Sequence, residues 1–266
     1  MYKAFYSLSK DPFSKEFLAS DAFSYDNFRE AISRLGYLKK ARGIGLITGD
    51  SGIGKTTVLR SFAHSLEPNL YRVMYTPMAS GTVMDFYREL ALCLGEEPRY
   101  RKVDLFHQIQ DACIELYFKR GITPVFILDE MQAAKPSFLN DLSLLFNFNM
   151  DAKLPFILIL SGLPHLGTKL SLNLNRSLDS RIVMRFEMEP MNHDEVNNFV
   201  VSRLEYAGVT RMIFTENALA AISSVSRGIP RLICNICTHA LIQGAVSNSQ
   251  VIDEEIIKTA AIEAGL

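Results

Sequence analysis

The chain has 266 residues, of which 48% are hydrophobic and 21% charged, and its formal net charge is −1 at pH 7. This composition is typical of a globular protein with one large or two modest domains, and the balanced charge excludes a global attraction to nucleic acid or anionic membranes. The longest central apolar stretch, residues 154–163, has about half the length of a membrane helix. The first residues do not resemble a secretory signal. We therefore expect a cytoplasmic protein without direct membrane insertion.

Residues 1–40 are expected to form an N-terminal arm followed by a helix. Apolar side chains at helical spacing predict the helix over residues 27–40. The segment before it is loop-like and rich in aromatic side chains, which most often pack against a hydrophobic core. These aromatic residues are Phe5, Tyr6, Phe13, Phe17, Phe23 and Tyr25.

A glycine-rich segment follows, with the sequence Gly49-Asp50-Ser51-Gly52-Ile53-Gly54-Lys55-Thr56-Thr57. It matches the phosphate-loop pattern, in which backbone N–H groups surround the α- and β-phosphates, Lys55 reaches the β- and γ-phosphates, and Thr56 holds Mg²⁺. An apolar run typical of a buried strand precedes it, and helical periodicity follows it, so that a helix N-terminus faces the phosphates. The segment predicts a nucleotide site. The aromatic arm either lies beside the adenine or only covers the core.

A basic segment lies between two predicted helices, residues 82–94 and 103–119, which follow a predicted strand over residues 71–76. Arg99, Arg101 and Lys102 surround Tyr100 there. A basic cluster with an interleaved aromatic residue is suited to gripping the phosphate backbone of DNA. A solvated loop is the alternative interpretation, because short charged runs usually face water.

The next predicted strand, residues 124–128, ends in two carboxylates, Asp129 and Glu130. At the carboxyl edge of a parallel sheet, Asp129 would hold Mg²⁺ through water, and Glu130 would orient and deprotonate the water that attacks the phosphate. A further apolar strand ends at Ser161, which either senses the γ-phosphate or caps a helix. A helix over residues 163–174 and a strand over residues 183–186 follow. This alternation predicts a parallel α/β sheet with helices on both faces.

From residue 191 onward the periodicity is helical only. Asn192 with Glu195 resembles a capping box, and Thr215 and Asp253 are expected to open further helices. Cys234 and Cys237 fall within an apolar helical pattern, which favours reduced buried thiols over a zinc or redox site. The predicted organisation is therefore an N-terminal arm and helix (1–40), a P-loop α/β core (41–190) and a small all-helical lid domain (191–266).

The residues that carry a family resemblance are spread over essentially the whole chain. Besides the phosphate loop they are Leu128-Asp129-Glu130 followed by Gln132, Ser161-Gly162-Leu163-Pro164-His165-Leu166, Ser180-Arg181-Ile182 and Gly228-Ile229-Pro230-Arg231-Leu232-Ile233. They resemble the AAA+ ATPases of the general-secretion-pathway A group and the related TniB-like and TnsC-like transposition helper ATPases. The resemblance implies a P-loop NTPase fold that uses ATP and Mg²⁺ and forms homo-oligomeric rings or filaments.

The resemblance also implies roles for individual residues. Ser161 corresponds to the first sensor, although Asn is common at that position, and Arg231 in the lid corresponds to a second sensor that touches the γ-phosphate. Arg181 is the expected arginine finger that reaches the ATP of a neighbouring subunit, with Arg176 as its rival. From the residues alone, Arg181 is equally well explained as a surface arginine. Arg231 in the first turn of a helix opposes the helix dipole, which favours a phosphate partner.

Three functions remain to be distinguished. The first is an ATP hydrolase that assembles on double-stranded DNA and acts as the accessory or target-selection protein of a DDE-type transposase; it is the expected branch because the sequence ends directly after the lid. The second is an ATPase of a secretion or envelope-assembly system with a membrane partner. The third is a nucleotide-gated binding module with slow hydrolysis, against which Glu130 argues, because a site used only for affinity needs no water-activating carboxylate.

Overall fold

The computed structural model describes residues 2–14, 16, 18, 21–77, 82–148 and 154–266. Phe17, one of the aromatic residues of the predicted arm, lies outside them. The chain divides into two compact units. The sheet unit comprises Glu30–Asp50 and Lys55–Met188, and the helical unit comprises Met1–Arg29, Ser51–Gly54 and Glu189–Leu266. The three-part division predicted from the sequence stays a prediction.

The sheet unit is built on five strands, all paired in parallel. Their order is β2-β3-β4-β1-β5, which confirms the predicted parallel sheet. The three central strands are almost wholly buried, as their continuous apolar sequences predict for a sheet covered on both faces. The strands are β1 (Gly43–Gly49), β2 (Tyr71–Pro77), β3 (Thr123–Asp129), β4 (Ile157–Gly162) and β5 (Ile182–Met188).

Helices connect these strands. A capping box at Thr82 begins α4, and a π-helical turn, Glu115–Lys119, continues α5. The predicted helix over residues 163–174 was wrong in extent, because α7 ends at Leu170 and Asn175 donates a hydrogen bond to the carbonyl of Lys169 at 2.8 Å. The helices of this part of the chain are α2 (Asp26–Ala41), α3 (Lys55–His64), α4 (Val83–Cys93), α5 (Lys102–Ile114), α6 (Pro136–Leu145), α7 (His165–Leu170) and α8 (Arg176–Asp179).

One face of the sheet carries a large hydrophobic core. Phe126, Leu128, Leu158 and Leu160 belong to it, together with apolar residues of α4 to α8. Because side chains alternate along a strand, Val125, Ile127, Ile159 and the carboxylate of Asp129 point to the opposite face. This alternation decides which functional groups at the strand ends share a side of the sheet.

The helical unit contains a short N-terminal helix, α1 (Tyr2–Phe5), and four longer helices, α9 (His193–Tyr206), α10 (Glu216–Ser226), α11 (Pro230–Val246) and α12 (Glu254–Glu263). The predicted capping box of Asn192 with Glu195 is confirmed, and Thr215 and Asp253 cap α10 and α12. Cys237 on α11 is buried, which raises the pKa of its thiol. None of the described helices is long and apolar enough to cross a bilayer.

The N-terminal arm packs within this helical unit. Tyr6 is fully buried, and its hydroxyl donates to the carbonyl of Ser249 at 2.8 Å. Arg203 of α9 is 3% exposed and its Nε donates to the carbonyl of Pro12 at 2.6 Å. Burial of this guanidinium lowers its pKa, because a charge is costly in an apolar environment. The core-covering interpretation of the arm therefore applies to Tyr6 and Phe13, both of which are buried.

Gly228, before α11, permits a close backbone approach. It has a φ of +73°, and a Cβ there would lie 2.0 Å from the carbonyl oxygen of Met191. We expect Gly228→Ala to destabilise the protein by about 3 kcal/mol, because it combines a left-handed backbone with a clash against main chain. Thermal unfolding should show a midpoint about 5–10 °C lower. Gly36→Ala is the control, since nothing lies within 4 Å of the added carbon; equal midpoints for both variants would contradict the prediction.

Candidate nucleotide site

The predicted phosphate loop joins β1 to α3. Gly49, Gly52 and Gly54 have φ values of 156°, 82° and 108°, and the latter two lie in the left-handed region that favours glycine. Lys55, the first residue of α3, is only 7% exposed. Its Nζ donates to the carbonyls of Gly49 at 2.8 Å and Asp50 at 2.9 Å. The ammonium is thus fixed by main-chain contacts at the start of a helix, where the partial charge of the helix end favours an anion.

Thr56 and Asp129 are brought together by the sheet. The hydroxyl of Thr56 donates to Oδ2 of Asp129 at 2.8 Å. Tyr75, at the end of β2, donates its hydroxyl to the same oxygen at 3.2 Å. Desolvation and the neighbouring Asp129 raise the pKa of Tyr75 to about 12, so the phenol remains a donor at neutral pH. The carboxylate of Asp129, which is 1% exposed, is therefore oriented by two hydroxyl groups.

Glu130 follows at a turn with an unusual backbone. Its φ of 59° and ψ of 32° are left-handed, and its N–H donates to Oδ1 of Asp129 at 3.0 Å. The side chain is exposed, and its Oε2 accepts a hydrogen bond from Nε2 of Gln132 at 2.5 Å. The two adjacent carboxylates thus differ in environment, one buried and fixed, the other facing solvent beside it.

Ser161 lies at the same end of the sheet. Leu128 of β3 pairs with Leu160 of β4, so Asp129 and Ser161 follow at the same level on neighbouring strands. The side chain of Ser161 is fully buried, and its hydroxyl has no hydrogen-bond partner among the described residues. A buried hydroxyl without a partner costs about 1–3 kcal/mol. This unpaired group gives the site an unused donor next to Asp129.

These residues fit a nucleotide with Mg²⁺. A hydroxyl and a carboxylate in contact are the hard oxygen donors that Mg²⁺ prefers, and the buried ammonium of Lys55 supplies the positive charge for phosphate oxygens. The unpaired Ser161 hydroxyl adds a further polar group at the same strand ends. All three elements come from one edge of a parallel sheet, where ligands bind in open α/β folds.

The helical unit holds the tip of the phosphate loop, Ser51–Gly54. Arg231 in the first turn of α11 donates from Nη1 to the hydroxyl of Ser51 at 3.1 Å, and its N–H donates to the carbonyl of Gly52 at 3.2 Å. A Cβ at Gly52 would lie 2.7 Å from Cβ of Arg231. Tyr25, 5% exposed, donates its hydroxyl to the carbonyl of Ile53 at 3.1 Å. Arg231 is exposed, and both of its hydrogen bonds are to residues of the predicted phosphate loop.

The two candidate arginine fingers differ in their contacts. Arg181 donates from Nη1 to the carbonyl of Ser143 on α6 at 2.5 Å. Arg176, at the start of α8, is exposed, and no hydrogen bond or ion pair joins its side chain to another described residue. Arg181 would have to leave the Ser143 carbonyl to reach another subunit, whereas Arg176 would not.

The basic segment is exposed throughout. Arg99, Tyr100 and Arg101 face solvent, with Tyr100 87% exposed. Lys102 forms an ion pair with Asp141 of α6, with 2.7 Å between Nζ and Oδ1. The two arginines are therefore the more available cations for an anionic partner, because the charge of Lys102 is partly neutralised.

Sequence reasoning missed Tyr75, Tyr25 and the contacts of Gln132. The position of Tyr75 at the end of a strand was a usable signal, since polar groups at carboxyl strand ends face the site in such folds. Tyr25 was included among the aromatic residues of the arm, but its contact with Ile53 was not foreseen, because the contact joins residues 28 positions apart without a pattern. Gln132 was noted only as part of the family resemblance.

Comparison with known proteins gives a family and a relative. A family model described as AAA domain matches residues 38–170. General secretion pathway protein A of Aeromonas hydrophila is 35% identical over 268 residues, which cover 99% of this chain and 48% of that protein. The chain thus spans about half the length of this curated relative.

Several solved structures have the same fold as this chain. Cdc6p of Pyrobaculum aerophilum matches with a TM-score of 0.75 and 16% identity over 97% of this chain and 72% of that chain. The ORC1 protein of Aeropyrum pernix, in complex with DNA, matches with a TM-score of 0.68 and 14% identity over 95% of this chain and 68% of that chain. At these identities the likeness shows the fold alone.

Proposed function

The chain belongs to the AAA domain family of P-loop nucleoside triphosphatases, and from this premise we propose that it binds and hydrolyses ATP with Mg²⁺. We further propose that with ATP it forms a homo-oligomer on double-stranded DNA and acts as the accessory or target-selection protein of a DDE-type transposase. The observation that carries the ATPase assignment is the joint placement of buried Lys55, the Thr56–Asp129 pair and Glu130.

Each of these residues has one task in the proposed reaction. Lys55 would bind the β- and γ-phosphates, and Thr56 and Asp129 would hold Mg²⁺, which supplies charge neutralisation to the phosphates. Glu130 would take the proton of the attacking water, a task suited to an exposed carboxylate beside a buried one. Ser161, with its unpaired hydroxyl, would donate to the γ-phosphate.

Three arginines have proposed roles of their own. Arg231 contacts Ser51 of the phosphate loop, which supports a role in contacting bound phosphate. The trans-acting finger is assigned to Arg181, with Arg176 as the rival that needs no change of partner. Arg181 and Arg176 both lie in the sheet unit. Either residue could reach the ATP of a neighbouring subunit only in an oligomer.

The transposition role rests on the resemblance to transposition helper ATPases, and two observations support DNA as the partner. Arg99 and Arg101 are exposed on one segment beside Tyr100. The ORC1 protein with the same fold is in complex with DNA. The secretion alternative is supported by the name of the 35% identical relative, of which this chain spans about half. The two functions differ in whether DNA changes ATP turnover.

The test is ATP hydrolysis with and without duplex DNA over a range of salt concentrations, with assembly followed by light scattering. We expect stimulation by DNA and growth of large particles that require ATP. Affinity for DNA should fall steeply with salt, because each phosphate contact releases counterions. Arg99→Glu combined with Arg101→Glu should reduce the slope of log affinity against log salt by about 2.

The control is the charge reversal of Lys119 and Arg120, two exposed basic residues at the end of the π-helical turn. This variant should retain the wild-type salt slope. ATP turnover that ignores DNA at every salt concentration would eliminate the DNA role, retain the ATPase assignment and favour a membrane or protein partner.

A further inference from the structure

Both polar atoms of the Gln132 side-chain amide form hydrogen bonds. It lies in the short turn Met131–Ala133 that follows β3. Its Nε2 donates to Oε2 of Glu130 at 2.5 Å, and its Oε1 accepts the main-chain N–H of Leu163 at 3.2 Å. One amide therefore joins the carboxylate of Glu130 to the segment that follows β4.

The surrounding chain is shaped for this amide. A Cβ at Gly162 would lie 2.8 Å from Oε1 of Gln132 and 3.2 Å from its main-chain nitrogen, so a side chain at this position would displace the amide. Lys169 of α7 donates from Nζ to the carbonyl of Gln132 at 3.2 Å and also to that of Ala134. Lys169 of α7 thus bonds the turn that carries Gln132, and the missing side chain at Gly162 leaves space for the Gln132 amide.

Glu130 has few other restraints. Its side chain is exposed, and an exposed glutamate samples several rotamers, whose restriction costs conformational entropy. Its main chain is fixed by the N–H bond to Asp129, but that bond leaves the χ angles free. A hydrogen bond from a neutral amide to a carboxylate is charge-assisted and directional, so the Gln132 amide selects one carboxylate orientation.

We propose that Gln132 is a positioning residue for hydrolysis: it holds the Glu130 carboxylate in a fixed position relative to Leu163, which directly follows β4, the strand that contains Ser161. This proposal rests on the proposed ATPase function. It assigns Gln132 no contact with substrate. A base must lie within hydrogen-bond distance of the water it deprotonates, and small displacements of a catalytic group reduce rate strongly.

The experiment compares Gln132→Met, which keeps the length of the side chain and removes both hydrogen bonds, with wild type. We expect kcat for ATP to fall about 10-fold, while KM and the dissociation constant for ATP change less than about twofold, because Gln132 acts only through Glu130. Gln110→Met is the matched control, since the side-chain amide of Gln110 on α5 donates to the carbonyls of Leu145 and Asn147, away from Glu130. It should keep the wild-type kcat.

A second experiment tests whether Gln132 acts through Glu130. In a Glu130→Gln background, Gln132→Met should cause no further loss, because residues that act as one unit are not additive. Equal kcat in wild type and Gln132→Met, or an equal further loss in the Glu130→Gln background, overturns the proposal. A loss of thermal stability that accounts for the loss of kcat does the same, and Gln132→Ala provides the second variant if the methionine variant does not fold. Absence of ATP turnover in wild type overturns the ATPase function itself, which distinguishes the two failures.

Discussion

Substitution of Glu130 by glutamine is expected to slow ATP hydrolysis by about 10²–10⁴-fold while ATP affinity stays within about twofold. Loss of a general base typically has this magnitude. The amide keeps the size of the carboxylate but cannot take a proton. The side chain of Glu130 accepts a hydrogen bond from Gln132, and its main-chain N–H donates to Asp129. Neither bond involves Lys55 or Thr56. Nucleotide binding should therefore be spared, and the ATP-dependent assembly should accumulate.

Single-turnover hydrolysis, equilibrium titration with ATP and light scattering measure these three quantities on the same preparation. Glu67→Gln is the control, because Glu67 is an exposed carboxylate before β2 and lies outside the proposed site. It should leave turnover unchanged. Wild-type turnover in Glu130→Gln would remove the general-base role, whereas loss of ATP binding would show that Glu130 serves the architecture of the site.

Lys55→Ala is expected to weaken ATP binding by about 10- to 100-fold. A charge-assisted hydrogen bond contributes about 1.5–3 kcal/mol. Lys55 is buried, with 7% of its surface exposed, and its ammonium donates to two main-chain carbonyls of the loop. Its removal takes away the charge that would face the phosphates and leaves the carbonyls of Gly49 and Asp50 without this donor.

Titration with ATP or a fluorescent ATP analogue measures this effect, and thermal unfolding checks that the variant is folded. Lys40→Ala on α2 is the control, since this exposed lysine lies outside the phosphate loop and should leave affinity unchanged. Retained ATP affinity in folded Lys55→Ala would move the nucleotide site away from the phosphate loop. The pair of variants separates binding, which depends on Lys55, from turnover, which depends on Glu130.

Much of the fold was predictable because its signals are local. Continuous apolar runs identify the buried strands β1, β3 and β4, and polar caps such as Asn192 identify helix starts by chemistry confined to one turn. Errors occurred where tertiary contacts decide, as in the helix predicted over residues 163–174. That helix ends at Leu170, and the segment after it forms two further short helical turns.

The candidate site was likewise predictable only where its signals are local. The spacing of glycines before Lys55 and the two carboxylates after β3 identify a phosphate site by residue type and order. Nothing local indicates that Tyr75 donates to Asp129, because that contact depends on β2 lying next to β3. The hydrogen bond that the Leu163 N–H donates to Gln132 likewise depends on β4 being the other neighbour of β3.

By itself, then, the sequence determined the presence of a phosphate loop, an acidic strand end, a parallel α/β sheet and a helical region, since each follows from periodicity or spacing over a few residues. The tertiary structure alone decided which side chains meet: Thr56 and Tyr75 on Asp129, Gln132 on Glu130, and Arg231 on Ser51. The physical reason is that hydrogen-bond partners across strands are chosen by strand order and register. Those depend on how the whole hydrophobic core packs, which no short stretch of sequence encodes.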